Sequence, residues 1–156
     1  MTRSLITREG YRSLIDKLQE LTTTGRTKIA GELHEAREHG DLSENAEYQY
    51  AKDKQALNEV KIAELQEFLS SVEVVDPFVG VRENVSFGCT ARVQNIETDE
   101  IKVVTIVGET ESAPKLGKIS YRSPFGKEII GKKAGDDFEV EAPGGESYWE
   151  VLKILG

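Results

Sequence analysis

The segment EHGDLSENAEY, residues 38–48, separates two runs of apolar residues that each recur at helical spacing. Gly40 is suited to end one helix, and Asp41 or Ser43 is suited to begin the next. A short polar connection between two amphipathic helices favours antiparallel neighbours. The sequence therefore predicts a helical hairpin with residues 38–48 as its tip.

The two arms of the predicted hairpin each carry a narrow apolar stripe. The first arm follows Thr7, a suitable N-cap, and its stripe comprises Leu14, Leu18, Leu21, Ile29, Leu33 and Ala36. The stripe predicted on the second arm comprises Ala46, Tyr50, Leu57, Leu65, Phe68 and Val72. Narrow stripes flanked by charges are typical of a coiled coil. Because TTTG at 22–25 lowers helix propensity, we expect a kink or break there.

The predicted first arm is long for the small core it can bury. From Arg8 to His39 it spans roughly 48 Å at about 1.5 Å per residue. Such an arm buries only a narrow apolar seam. A long arm of this kind more often serves to reach a binding partner than to stabilise the fold.

The second half of the chain has a different composition. All 4 prolines follow residue 76, and β-branched runs there alternate with turn residues. We therefore place a domain boundary at Asp76-Pro77, with a hairpin in 1–76 and a sheet domain in 77–156. Strands are predicted at Val85–Phe87, Ala91–Ile96, Ile101–Val107, Lys118–Tyr121, Phe138–Ala142 and Tyr148–Leu155, and a short helix or loop at Pro124–Lys133. These elements indicate a small antiparallel sheet covered by a short helix.

Charge and composition exclude several classes of protein. The 156 residues carry 20 Lys and Arg against 28 Asp and Glu, a net charge of −8, so the chain lacks the basic footprint of a general nucleic-acid binder. The single Cys89 excludes an internal disulfide framework. No stretch has the apolar length of a signal peptide or a membrane helix. We expect a soluble, cytoplasmic protein without membrane contact.

Two familiar motifs are incomplete. HEAREH at 34–39 resembles a zinc-protease helix, but its histidines are five residues apart and diverge around the helix. GKEIIGKK at 126–133 resembles a phosphate-binding loop, but Lys133 stands where Ser or Thr would ligate magnesium. Neither segment predicts its usual site.

The tip holds two carboxylates, Asp41 and Glu44, three positions apart. Asp-x-x-Glu is a capping-box pattern, in which Asp41 caps the second helix and Glu44 returns the hydrogen bond. The same pair is able to hold a divalent ion weakly, with the remaining ligands supplied by a partner, as in two-metal phosphoryl chemistry. The residues alone leave both interpretations open.

Basic residues also lie near the tip. Arg37 lies just before it, and Lys52 about two helical turns beyond Asn45. Arg26 lies on the same helix face as Arg37.

The sequence of the tip resembles that of the Gre transcript-cleavage factors of bacterial RNA polymerase. EAREHGDL at 35–42 and ENAEY at 44–48 match the family's tip almost letter for letter. Further matches in the family's order and spacing are Phe87-Gly88, Ile106-Val107-Gly108, Ser123-Pro124, Ile130-Gly131-Lys132 and Pro143-Gly144-Gly145-Glu146. The resemblance extends over essentially the whole chain.

The resemblance implies an α+β fold: an N-terminal antiparallel coiled-coil hairpin, then a small FKBP-like antiparallel sheet domain with a short helix. It implies that the hairpin enters the polymerase secondary channel while the second domain docks at the channel rim. Ser123, Pro124 and Phe125 would make the docking contacts, although FGKE at 125–128 departs from the family's usual residues. A monomer is expected.

The resemblance also assigns roles at the tip. Asp41 and Glu44 would stabilise the second Mg²⁺ and its attacking water in the polymerase active centre, with Ser43 in a supporting role. Arg37 and Lys52 would meet phosphates of the extruded RNA 3′ segment. The alternative is that these basic residues are solvated coiled-coil charges, and for Arg26 we favour that alternative. The protein would not itself be an enzyme, because the polymerase cuts its own backtracked RNA near the nascent 3′ end. No cofactor is expected to bind the free protein tightly, since Mg²⁺ is shared with the polymerase.

Three other functions are considered. A Gre-like protein that occupies the channel and inhibits would lack cleavage activity, and the intact Asp41 and Glu44 argue against it. A prolyl isomerase shares the predicted second fold, but no aromatic-lined pocket is evident in residues 80–156. A coiled-coil chaperone would leave the specific tip unexplained.

Overall fold

The computed structural model describes residues 4–40, 45–76 and 82–156, and their contacts form two compact units. The hairpin unit is Tyr11–Ser71, and the sheet unit combines Met1–Gly10 with Val72–Gly156. The first ten residues thus group with the second half of the chain, because β1 (Leu5–Thr7) pairs in parallel with β2 (Glu73–Val75). Composition predicts a boundary at Asp76-Pro77, whereas strands of three residues are too short to show a period in the sequence.

The predicted helical hairpin is confirmed. Its first arm consists of α1 (Arg8–Glu20), a π-helical turn (Leu21–Gly25) and α2 (Arg26–Glu38), and its second arm is α3 (Ala46–Ser71). Thr7 caps α1, since its Oγ1 accepts from the Gly10 amide at 3.1 Å. No helix in the described part of the chain is long and apolar enough to span a membrane.

The stripe predicted on the second arm is partly wrong. Tyr50 and Leu57 are 65% and 56% exposed. The residues that face the seam are instead buried or half-buried and recur at alternating spacings of three and four: Tyr48, Ala51, Gln55, Asn58, Ile62, Leu65 and Leu69. The polar Gln55 and Asn58 interrupt the apolar pattern, so a search for apolar residues selects the wrong neighbours.

The irregularity expected at 22–25 is a π-helical turn without a break in the helix. Gly25 and Arg26 both keep right-handed helical backbone angles. The buried Asn58 donates its Nδ2 to the carbonyl of Leu21, the first residue of the turn, at 3.2 Å. The π-helical turn is therefore held to α3 by a hydrogen bond from Asn58 across the seam.

The sheet unit contains a five-stranded sheet in the order β5-β4-β3-β7-β6. Its strands are β3 (Thr90–Asn95), β4 (Ile101–Val107), β5 (Lys118–Ser120), β6 (Asp137–Ala142) and β7 (Gly145–Ile154). All neighbours are antiparallel except β4 and β5. The short helix α4 (Pro124–Ile129) packs against β6. Five of the predicted strands and the short helix are thus confirmed.

The strand predicted at Val85–Phe87 is wrong. Val85 and Phe87 are buried in the core, but their backbone joins no sheet. The Val85 amide donates to the Lys132 carbonyl at 2.8 Å, and the Gly131 amide donates to the Val85 carbonyl at 2.7 Å. The alternation of apolar residues at 85–87 therefore indicates burial and not a strand. The backbone hydrogen bonds of Val85 are made with Gly131 and Lys132 in a loop.

Glu111 joins the start of α1 to the sheet. Its carboxylate accepts from the Thr7 amide at 3.1 Å and from the Gly108 amide at 2.9 Å, and also from the Thr7 hydroxyl. These bonds satisfy backbone donors at the point where the chain leaves the sheet unit.

Candidate functional site

The predicted catalytic residues Asp41, Ser43 and Glu44 lie outside the described residues. The described parts of the tip are the last turn of α2 up to Gly40 and the chain from Asn45 onward. These flanking residues show where helix α2 ends and where helix α3 begins.

Helix α2 ends at the predicted glycine. The backbone of His39 is no longer helical, because its ψ is 0°. Gly40, which follows it, has a φ of +137°. Backbone with positive φ favours glycine, because a Cβ would be strained there. The expectation that Gly40 terminates the first arm is confirmed.

Asn45 is the N-cap of α3. Its Oδ1 accepts from the Tyr48 amide at 3.1 Å, which is the usual bond from the third helical residue to the cap. Its Nδ2 donates to the Ala36 carbonyl in the last turn of α2. One side chain therefore satisfies backbone groups on both arms where they meet the tip.

This cap corrects the sequence prediction. Asp41 and Ser43 were candidates to begin the second helix, but α3 begins at Ala46 and Asn45 caps it. The capping-box interpretation of Asp41 and Glu44 is therefore wrong for this helix. The signal was present in the sequence, since Asn is as good a cap as Asp or Ser.

Arg37 and Lys52, the predicted RNA-contacting residues, lie together at Tyr48. The Arg37 Cζ is 5.7 Å and the Lys52 Nζ 5.9 Å from the centroid of the Tyr48 ring. A hydrogen bond from Arg37, aided by the positive charges of Lys52 and Arg37, lowers the pKa of the Tyr48 phenol against the opposing effect of burial. We call Arg37, Tyr48 and Lys52 the tip cluster.

Other cations of the hairpin are paired with carboxylates. Arg26 makes two bonds to Glu59, at 2.9 and 3.0 Å, which raise the pKa of Arg26 and lower that of Glu59. Lys54 lies 3.2 Å from Glu32. Arg26 is therefore a surface ion-pair residue, as the sequence favoured. Within the described ranges, neither cation of the tip cluster has an ion pair with a carboxylate.

The predicted docking residues Ser123, Pro124 and Phe125 form the start of α4. Ser123 caps the helix, accepting from the Gly126 amide at 3.0 Å, and Pro124 is exposed. Phe125 packs edge-on against Phe138 and Trp149 with ring centroids 5.3 Å away in each case. Of the three, only Pro124 presents its side chain largely to solvent.

Packing constrains the first two residues of the segment 125–128. Phe125 fills space against two core aromatic rings. A Cβ on Gly126 would come within 2.0 Å of the Ser120 carbonyl oxygen, so no larger residue fits without a shift of the backbone.

An apolar groove of about 520 Å³ lies beside α4 on the sheet unit. Phe125 and Trp149 line it, which corrects the expectation that residues 80–156 hold no aromatic-lined pocket. Leu116, 77% exposed, lies at the groove, and so do Lys102 and Lys115. The Lys102 Nζ is 5.7 Å from the Trp149 ring centroid. The groove therefore offers apolar contact next to positive charge.

Sequence reasoning missed an acidic cluster on the β6–β7 hairpin. Pairing sets Glu141 opposite Glu146 and Glu139 opposite Tyr148, and oxygens of the three glutamates lie within 4.8 Å of one another. Burial, followed by the charges of Glu146 and Glu141, raises the pKa of Glu139. All three glutamates are exposed, and their arrangement is one of mutual repulsion.

Comparisons with known proteins cover nearly the whole chain. Residues 4–74 match the family described as "Transcription elongation factor, N-terminal", and residues 81–155 match "Transcription elongation factor, GreA/GreB, C-term". The chain is 46% identical to the "Transcription elongation factor GreA" of Nautilia profundicola, over 99% of this chain and 95% of that protein. It is 43% identical to the factor of the same name from Beijerinckia indica, over 99% and 98%.

Solved structures of similar proteins were also found. One is the GreA factor homolog 1 (Gfh1) of Thermus thermophilus, with 25% identity and a TM-score of 0.44, covering 99% of this chain and 100% of that one. Another is a GreA/GreB elongation factor from Nitrosomonas europaea, with 19% identity and a TM-score of 0.43, covering 100% of both chains.

Proposed function

Because the chain belongs to the GreA/GreB family of transcription elongation factors, we propose that it stimulates cleavage of backtracked RNA by RNA polymerase. In this proposal the hairpin enters the secondary channel and brings Asp41 and Glu44 to the polymerase active centre. The polymerase makes the cut, so the protein is an accessory factor and not an enzyme. Its place of action is the cytoplasm, with bacterial RNA polymerase and the nascent RNA 3′ end as partners.

The observation that carries this proposal is the cap of α3. Asn45 satisfies the start of the helix, so Asp41 and Glu44 are not required for capping. Helix α3 therefore does not need the two carboxylates as caps. Two carboxylates that are not needed for capping are most useful where a partner supplies the remaining ligands of a metal site.

The two carboxylates suit a shared magnesium ion. Mg²⁺ prefers oxygen ligands in near-octahedral geometry, and Asp41 and Glu44 supply only part of such a shell. In a two-metal site the ion activates water and stabilises the charge that develops on the phosphate. Asp41 and Glu44 would hold the ion from the protein's side, and Ser43 would orient a neighbouring group by hydrogen bonding.

The groove on the sheet unit supports docking at the channel rim. It combines the apolar rings of Phe125 and Trp149 with Lys102 and Lys115, which suits an apolar protein segment flanked by acidic residues. Of the docking residues expected from the resemblance, Phe125 lines this groove. In this role Phe125 contributes to docking as part of the wall of the groove.

A cleavage assay on stalled, backtracked complexes tests the proposal. Wild type is compared with the double variant Asp41→Asn, Glu44→Gln, which removes both charges with little change of shape. The matched control is Glu35→Gln, Asp53→Asn, which removes two exposed charges from the same hairpin. Circular dichroism checks that all three are helical, and competition with labelled wild type measures binding.

We expect wild type and the control to accelerate cleavage, and the tip variant to bind without doing so. If all three proteins bind and none promotes cleavage, the cleavage proposal is wrong. The protein is then a regulator that occupies the channel and inhibits.

The groove is also the observation that favours prolyl isomerase as a second candidate. Aromatic walls can hold a proline ring away from water. An isomerisation assay with a proline peptide and the full chain separates the two roles, because turnover that Phe125→Leu abolishes would favour the isomerase.

A further inference from the structure

We propose that the solvent-exposed side of the five-stranded sheet is a self-association surface, on which a second copy of this chain binds about a two-fold axis. We call this side of the sheet the outer face. The inference is independent of the proposed function, and it departs from the monomer that the family resemblance implies.

The outer face is the side of the sheet that points away from the core. Successive residues of a strand point to opposite sides, so the strand neighbours of the buried Val93 and Val104 belong to the outer face. Helix α4 packs on the core side, where its Phe125 meets the rings of Phe138 and Trp149. The outer face therefore carries exposed charged side chains, which are Arg92, Lys118, Lys153, Glu139, Glu141 and Glu146.

The basic side chains of the outer face lack acidic partners. Arg92 of β3 lies directly opposite Lys153 of β7, and Lys118 lies on β5, two strands away from Arg92. Like charges in directly opposite positions destabilise a sheet. Within the described ranges, none of these three cations forms an ion pair with a carboxylate. We call Arg92, Lys118 and Lys153 the basic cluster, and in a chain of net charge −8 it favours an acidic partner.

The acidic side chains of the outer face have the opposite imbalance. Pairing of β6 with β7 brings Glu139, Glu141 and Glu146 together, with carboxylate oxygens within 4.8 Å of one another. Burial, followed by the charges of Glu146 and Glu141, raises the pKa of Glu139. We call these three residues the acidic cluster. Cations brought close to it would relieve the repulsion among its carboxylates.

The two clusters lie toward opposite ends of β7. Lys153 and Glu146 are seven residues apart on this strand, which is roughly 20 Å. A two-fold axis that lies between two stacked outer faces and crosses β7 near Glu150 reverses the strand direction of the second copy. The basic cluster of each copy then faces the acidic cluster of the other, so one symmetry operation relieves both imbalances.

The pattern of charge favours a second copy over an unrelated acidic protein. An acidic protein would suit the basic cluster, but the acidic cluster on the same face would repel it. A second copy carries the matching charge at both ends. The exposed Val103, opposite Arg92, and the exposed Tyr148, opposite Glu139, add apolar surface beside each cluster.

The size of the outer face sets the strength of the dimer. Five strands about 4.8 Å apart and about 20 Å long cover roughly 400 Å² per copy. This area is below the roughly 800 Å² per partner of a standard stable interface. The dimer is therefore weak, and because its contacts are between exposed charges it weakens further in salt.

The test exchanges the charges of the two clusters in the full chain. The first variant, Arg92→Glu, Lys153→Glu, makes both ends of the outer face acidic. The second variant, Glu139→Lys, Glu146→Lys, makes both ends basic. Sedimentation equilibrium measures the dissociation constant of wild type, of each variant and of their equimolar mixture, at about 10 mM and about 150 mM salt.

A matched control separates the outer face from net charge. Lys127→Glu, Lys133→Glu changes the net charge as much as the first variant does, at exposed positions outside the sheet. Circular dichroism checks that every variant is folded. The neutral pair Arg92→Gln, Lys153→Gln replaces a reversal that does not fold, and it should also weaken self-association.

We expect wild type to dimerise in low salt and to do so about tenfold more weakly at 150 mM. Each charge-reversed variant alone should have a dissociation constant at least about tenfold higher than wild type, because like charges then meet at both ends. The equimolar mixture should recover wild-type affinity to within about threefold, since every contact again joins opposite charges. The control should match wild type.

Several results would overturn the inference. Wild type that stays monomeric at high concentration in low salt shows that the outer face does not bind a second copy. If a poly-glutamate peptide then binds wild type but not the first variant, the outer face binds acidic proteins instead. A mixture that stays monomeric, or a control as weak as the first variant, shows that the two clusters do not pair between copies. None of these measurements involves polymerase, so they leave the proposed function untouched.

Discussion

At the scale of single residues, Asn45 has the largest structural role at the tip. Its side chain bonds to the Tyr48 amide and to the Ala36 carbonyl, so it secures the ends of both arms. We expect Asn45→Ala to lower the free energy of unfolding by about 1–2 kcal/mol, the usual effect of losing a cap. Cleavage should fall further than stability suggests, because the tip loses its fixed ends.

Two variants separate these effects. Asn45→Asp keeps the acceptor for the Tyr48 amide but loses the donor to Ala36, so it should retain more stability than Asn45→Ala. Gln49→Ala, an exposed change in the same helix, is the control. Denaturant unfolding and the cleavage assay are the measurements, and an Asn45→Ala protein equal to the control in both would contradict the assignment.

A second prediction at this scale concerns Glu139. Its pKa is raised above the ordinary 4.5 by burial and by Glu146 and Glu141, so its charged form is less favourable in the folded state. The sheet unit should therefore lose stability as the pH rises through about 4.5 and above. Glu139→Gln should raise Tm at pH 7 by about 1–2 °C and give no gain below pH 4.

Glu97→Gln removes an exposed charge from the loop after β3 and should leave Tm unchanged at both pH values. Thermal scans at about pH 3 and at pH 7 decide the matter. An equal gain for Glu139→Gln at both values would show that repulsion among the glutamates is not the cause.

At the scale of elements, the π-helical turn at Leu21–Gly25 has the character of a one-residue insertion in the first arm. Deletion of Thr23 should convert the turn to regular α-helix and keep the register of α2 against α3. The Asn58 bond to Leu21 is lost, so the free energy of unfolding should fall by about 1–2 kcal/mol.

Deletion of Thr27 is the matched control, because it lies within regular helix. It rotates the preceding residues by about 100° relative to α2 and should disrupt the seam. Helical content by circular dichroism and unfolding by denaturant compare the two deletions. Equal damage from both would mean that the turn is not an inserted residue.

The same scale shows which elements sequence reasoning can find. The β-branched run IKVVTIV, which follows the turn signal Thr98-Asp99, located β4 to the residue at Ile101–Val107. The true seam of α3 was missed because Asn58 is polar but buried, its cost offset by a bond to Leu21. At the tip, family likeness identified Arg37 and Lys52, but only the fold reveals that both meet at Tyr48.

At the scale of the whole molecule, the proposed function gives the two units separate tasks. The sheet unit would supply affinity through its groove, whereas the hairpin would supply the groups that act on RNA. Variants in the groove should then change the concentration of factor that is required, and variants at Asp41 and Glu44 should change the maximal rate.

Leu116 is the best probe of the groove, since it is 77% exposed and contributes little to the core. We expect Leu116→Asp to raise the concentration for half-maximal cleavage about tenfold or more, because it sets a charge in an apolar contact. The maximal rate at saturation should stay that of wild type. Leu155→Asp, at another exposed apolar position of the sheet unit, should change neither quantity.

The measurement is a titration of each variant against backtracked complexes, with direct binding to polymerase followed in parallel. A Leu116→Asp protein that binds as well as wild type would remove the groove from the docking surface. A loss of maximal rate with unchanged affinity would contradict the separation of tasks, because a contact used only for docking affects both states of the reaction equally.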